Sequence, residues 1–179
     1  MNPPNDHRDV YFESQFSSED HQGYVHWVQG QYDGYWEAQV ATKLGTALLM
    51  TAGVALAEAN AAIALLDTQE IFPGDEQYTE KLNAFLTVVR RRRMLLSPQL
   101  TPIFGHHSQE PLVEIGWYKV ARTVTIEGAI EEASIILDCA NTAIVDGLLS
   151  KVLESAGTKK PLAARIFSNL RKARRESFK

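Results

Sequence analysis

The side chains best able to do chemistry in this chain are carboxylates set along apolar stretches. Glu58 lies in one such stretch, and Glu127, Glu131, Glu132, Asp138 and Asp146 lie on or beside another. Acids on the inner faces of packed helices are how bundle proteins hold paired metal ions, which then activate water or clamp phosphates. The spacing here argues against that chemistry. A di-iron bundle needs Glu-x-x-His, which is absent, and an all-helical pyrophosphohydrolase needs Glu-x-x-Glu followed by Glu-x-x-Asp. Three residues beyond Glu58 stands Ala61, and three beyond Glu131 and Glu132 stand Ser134 and Ile135. A metal-dependent hydrolase using Glu58, Glu131 and Asp138 is therefore the weakest of three functional readings. Asp138 and Asp146, eight residues apart, share a helical face, where a buried pair with arginine is the simpler explanation.

The other reactive groups are no more specific. His106 and His107 are adjacent and point apart, and His21 and His26 with Glu19 and Asp20 show no metal-ligand spacing. Cys139 is the single cysteine, so no internal disulfide forms; set in Ile135-Ile136-Leu137-Asp138-Cys139-Ala140, it reads as a buried structural thiol. There is no glycine-rich phosphate loop and no Gly-x-Ser-x-Gly elbow. No catalytic residue, metal or cofactor is assigned, and the balance leans away from an enzyme.

Charge is what remains. The net charge of −4 conceals an asymmetry: the first 40 residues hold seven acids against Arg8, whereas from Lys151 onward nine bases face Glu154 and Glu176. Arg90, Arg91, Arg92 and Arg93 succeed one another, and on a helix they project about 100° apart, so they cannot all face one groove. Near a helix carboxyl end they complement the dipole. With Arg171, Lys172, Arg174 and Arg175 they are the candidates for anion or nucleic-acid contact, which would weaken steeply with salt.

The elements that position these groups read as helices. A chain of 179 residues, 45% apolar and 22% charged, fits one globular domain in which roughly 70% of the unfolded surface is buried. The long stretch from Trp36 to Asp67 is nearly chargeless and rich in small residues, so it predicts a helix buried on several sides, with Asp33 as its cap. Only 14 uncharged residues separate Lys43 from Glu58, short of a membrane span, and the acids between Ile126 and Leu149 would be costly in hydrocarbon. A membrane partner is not expected. Phe72-Pro73-Gly74 stops the first helix, and Tyr78, Leu82, Phe85, Leu86 and Val89 mark the stripe of a second. Beyond Pro111, Val113, Trp117, Val120 and Val124 suggest another helix, with a break or short strand at the β-branched run Thr123 to Ile126. A long helix follows from Ile126 to a stop near Gly157. The last runs from Pro161 to about Glu176, with Leu162, Ile166, Leu170 and Ala173 on one stripe.

Residues 1–34 carry Tyr11, Phe12, Phe16, Tyr24, Trp27 and Tyr32 among polar residues without a sustained period. They predict an extended, acidic, aromatic arm laid on the helical body or on another subunit, with local strand around Val10 to Phe12 or Tyr24 to Val28 as the alternative. The amino terminus lacks the basic start and apolar run of a signal peptide, so a cytoplasmic protein is expected. The fold class expected is all-α, a bundle of four or five helices over 35–179 with that arm in front. The function expected is non-enzymatic: a protein–protein interaction or assembly subunit, self-associating or part of a larger complex, meeting its partner through the six aromatics. Nucleic-acid binding through Arg90 to Arg93 and the basic final helix is the alternative.

Overall fold

The computed structural model describes residues 10–17, 19–92, 99–105, 110–117 and 120–177. Among them the all-α expectation fails: the chain forms four helices and two three-stranded antiparallel sheets. Strands β1 (Val10–Ser17), β2 (Gln22–Gln29) and β3 (Tyr32–Glu37) are followed by helices α1 (Ala38–Thr68) and α2 (Tyr78–Arg92). Then β4 (Leu100–Phe104), β5 (Pro111–Trp117) and β6 (Val120–Thr125) lead into α3 (Ile126–Ser155) and α4 (Lys160–Ser177). The order β-β-β-α-α is run through twice.

Residues 1–9 and 18 of the supposed amino-terminal arm lie outside the described residues, and the rest of it forms the first sheet. Its alternation is real, but large residues occupy both faces and hide it. Phe12, Val25, Trp27, Gln29 and Trp36 point inward, while Tyr11 and Tyr35 stand on the opposite face and Tyr32, opposite Gln29 at the end of the hairpin, is exposed. Phe12 faces Trp27 across the strands, and Trp36 stacks 5.7 Å from Trp27. Between β2 and β3 only Gly30 and Gln31 intervene, and Gly30 takes the positive φ of 61° that opens a two-residue turn of type II′. Asp33 and Gly34, expected to start α1, pair with Val28 and Trp27 inside this hairpin.

The helix expected after Pro111 is the β5–β6 hairpin. Val113 pairs with Val124 and Trp117 with Val120, so a strand reversal brings together the residues that a helical spacing would also have aligned. Both geometries satisfy the same apolar positions, and the β-branched run decides for strand. Thr125 then ends β6 and caps α3, its Oγ1 accepting from the Gly128 amide at 3.1 Å.

The two long helices repeat each other in detail. Counted from Ala38 and Ile126, both bury positions 1, 4, 8, 11, 15, 18, 22 and 25: Ala38, Ala41, Gly45, Leu48, Ala52, Ala55, Ala59 and Ala62 in one, Ile126, Ala129, Ala133, Ile136, Ala140, Ala143, Gly147 and Ser150 in the other. This is a seven-residue repeat with small residues in the seam, which allows close approach of whatever packs there. Contrary to expectation, the rest of each circumference is not enclosed.

The chain separates into two compact units. In unit 1 (1–43 and 135–179), sheet β1-β2-β3 is assembled with the larger part of α3 and with α4; in unit 2 (44–134), sheet β4-β5-β6 is assembled with most of α1, with α2 and with the opening of α3. Each unit thus draws its sheet from one repeat and its amphipathic helix from the other. Unit 2 centres on Ala59, Ala62, Leu66, Tyr78, Leu82, Leu86 and Phe104, with Phe85 packed at its edge. Here the stripe expected for α2 is the one buried. Phe16 holds in sheet β1-β2-β3 the place of Phe104, opposite the start of the second strand, and it stacks 4.6 Å from Phe167 of α4. The buried edge of α4 is therefore centred on Phe167, and Leu162, expected in its stripe, is exposed.

Candidate functional site

The groups read from the sequence as partner-binding fall into three sets. Phe12 and Trp27 are consumed in the core of unit 1, and Phe16 lies against Phe167. Tyr24 donates its hydroxyl to Asp20 at 2.5 Å, which raises the tyrosine pKa and lowers that of the aspartate. Tyr11 and Tyr32 remain exposed on the sheet. These six therefore do not form one surface, because alternate strand residues point to opposite faces.

The basic candidates are divided as well. Arg90, Arg91 and Arg92 close α2, and Arg93 lies outside the described residues. In α4, Arg174 makes a two-pronged ion pair with Asp146 at 2.7 and 2.8 Å, and Asp146 is only 2% exposed. The carboxylate beside it raises the pKa of Arg174. Arg171 donates to the Phe16 carbonyl oxygen at 3.2 Å. Lys172 reaches Glu176 loosely, at 4.0 Å in the open, while Arg175 lies in the same helix. The carboxylates have separate roles too: Glu132 pairs with Arg122, whose guanidinium also lies 5.8 Å over the Trp117 ring. Burial pushes the Glu132 carboxyl up, against the opposing pull of Arg122. Among the described residues no three His, Cys, Asp or Glu side chains are grouped as a metal site. Burial likewise pushes the Cys139 thiol up to about 11, so it is protonated at neutral pH.

Two features missed by residue-type reasoning stand out. The first is the outer face of the long helices. Leu49, Leu56 and Ile63 follow one another at seven-residue intervals along α1 and are 43%, 44% and 41% exposed. Met50 and Leu65 extend this apolar surface, and Gly53 between Leu49 and Leu56 has open space above it. In α3, Ile130, Leu137 and Ile144 occupy the helical positions of Thr42, Leu49 and Leu56, and Val145, Leu148 and Val152 are exposed beyond them. Both helices are long and apolar enough to cross a membrane, with one third and about two fifths of their most apolar windows buried. The signal was present in the sequence as a second seven-residue stripe, hidden because the seam beside it is apolar also.

The second feature is a cavity of about 1110 Å³ within unit 1. Its base holds His21, whose Nδ1 is 3.0 Å from the Ser150 hydroxyl, and its apolar wall is Phe16, Pro161, Ala163, Ala164 and Phe167. Lys160, Arg171 and Lys172 line it with Glu19 and Glu176. The Nε of Arg171 is buried and has no hydrogen-bond partner among the described residues. A serine and histidine in contact invite comparison with a nucleophile and base. The geometry opposes it: Ser150 lies within α3, where the surrounding backbone amides are committed to the helix and cannot form an oxyanion hole.

Comparison of the chain with protein-family models, with curated proteins and with solved structures gave no match.

Proposed function

We propose that the protein is a non-enzymatic assembly subunit that self-associates through the outer faces of its two long helices. The observation that supports this most is the stripe Leu49, Leu56, Ile63, exposed in α1 although a complete apolar seam of the same helix is already buried. A seven-residue interval is the spacing that keeps side chains aligned with another helix, where a helix of 3.6 residues per turn would drift away. Monomers rarely leave contiguous apolar surface of this length in water. A second copy of the chain is the occupant with a matching surface, because α3 also exposes apolar residues, Ile144, Leu148 and Val152 among them, and a two-fold interface uses one patch twice.

Light scattering of the full chain tests this directly. The wild type is expected to be dimeric or larger, and Leu49→Glu with Leu56→Glu is expected to give monomers with unchanged helix content, since both sites are already half open to solvent. A monomeric wild type at high micromolar concentration would overturn the proposal. Flotation of the wild type, but not the double variant, with lipid vesicles would reassign the same face to a membrane.

A further inference from the structure

Neither self-association nor the core of unit 1 requires the cavity beside α4. We infer that it is a binding site for a small amphipathic oxyanion, a carboxylate or phosphate ester carrying an apolar body. The guanidinium of Arg171 carries the inference. Its one described bond is to a backbone carbonyl, not to a carboxylate, and its side chain lines the cavity, with Nε itself shielded from solvent. A guanidinium whose charge no described carboxylate neutralises is best satisfied by the oxygens of an oxyanion that meet its terminal nitrogens.

The surroundings fit such a ligand in charge and in shape. Lys160 and Lys172 add positive charge, Glu19 opposes them, and Glu176 is drawn towards Lys172. One or two cationic groups are thus left for an entering anion. The Ser150 hydroxyl and the His21 imidazole, already bonded to one another, supply further polar contacts. Phe167, Ala163 and Ala164 supply an apolar wall, and a volume of about 1110 Å³ accommodates a molecule well beyond the size of a bare ion. Inorganic phosphate alone would leave that wall in contact with water, so the favoured ligand has both parts. Arg174, the neighbouring arginine of α4, is committed to Asp146 and does not compete for this role.

Titration of the full chain with phenyl phosphate, benzoate and inorganic phosphate, followed by amide NMR and calorimetry, tests the inference. At least one of the two aryl anions is expected to bind with submillimolar affinity, shifting the resonances of His21, Ser150, Phe167 and Arg171 together. Inorganic phosphate is expected to bind more weakly. Arg171→Gln should lower the affinity for the aryl anion by about tenfold or more, the worth of a charge-assisted hydrogen bond, and Arg171→Lys should lower it less. Thermal melting of both variants establishes that they are folded. Phenyl phosphate binding identifies a phosphate ester and benzoate binding a carboxylate. No binding of either aryl anion, shifts located elsewhere, or undiminished binding by folded Arg171→Gln would overturn the inference, as would phosphate binding as tightly as phenyl phosphate.

Discussion

Removing the Arg174 side chain should damage unit 1 more than removing the aspartate it pairs with. Asp146 lies on α3 with 2% of its surface exposed, and Arg174 meets both of its oxygens from α4 at 2.7 and 2.8 Å. The arginine side chain is 31% exposed. In Arg174→Met the apolar stem is largely kept while the carboxylate is left buried without its cation, a situation that costs about 3 kcal/mol or more. In Asp146→Ala the guanidinium can turn to water, so the cost is smaller, ~1.5 kcal/mol, from lost hydrogen bonds and discounted for solvent screening. The double variant should fall short of the sum by ~2 kcal/mol, because each single change already removes the same pair. Urea denaturation followed by far-ultraviolet circular dichroism measures all three. For a chain of this size, Arg174→Met should lower the melting temperature by roughly 6–12 °C. Equal costs for the two single variants, the opposite order, or strict additivity would refute the claim that this ion pair anchors α4 to α3.

Other perturbations address other parts of the molecule. Gly23→Ala should destabilise unit 1 by several kcal/mol, visible as a large loss of melting temperature, because its Cβ would lie 2.0 Å from the backbone oxygen of Ala143 and neither main chain can yield cheaply. Glu70→Gly should stabilise by up to ~1 kcal/mol, since Glu70, two residues beyond α1, takes a φ of 56°, a left-handed conformation that glycine adopts without strain. Cys139 should react with a thiol reagent roughly a hundredfold more slowly at neutral pH than an ordinary cysteine, because its thiol is pushed up to about 11 by burial; fast labelling of the folded protein would contradict this. Glu132 makes a pH-dependent contribution of a stated sign. Its carboxyl pKa is raised in the folded chain, so its protonated form favours folding, and that contribution is present below the ordinary glutamate pKa and is lost as pH rises through the folded value. Glu132→Gln should remove this segment from a plot of stability against pH.

The long helices were legible because they carry little charge and hold one period for about 30 residues. The stripe of α2 and the helix stop at Gly157 were legible for local reasons. Tyr78, Leu82 and Leu86 repeat at intervals of four, and Gly157 takes a φ of 71° while the amide of Thr158 bonds back to Leu153. The sheets were concealed for a different reason in each case. In β1-β2-β3 aromatic residues stand on both faces, so Tyr11 and Tyr35 mask the alternation of Phe12, Val25 and Trp27. In β5 and β6 the positions that a helix would align are the same ones that a hairpin pairs, Val113 with Val124 and Trp117 with Val120. The basic candidates of the final helix divide in the structure, because Arg171 and Arg174 each turn towards an acceptor far away in the chain.

By itself the sequence determined where the backbone could be helical, where it must stop, and that one cysteine could form no internal bridge. These follow from steric preferences and short-range periodicity, which act within a few residues. Tertiary structure alone decided which apolar residues are enclosed and which remain for a partner. Both faces of α1 are apolar, and packing distinguishes Leu48, fully buried, from Leu49 beside it, left open to water. It also decided the cavity and its arginine, because Phe16, His21, Ser150 and Arg171 are brought together by long-range pairing that no local pattern encodes.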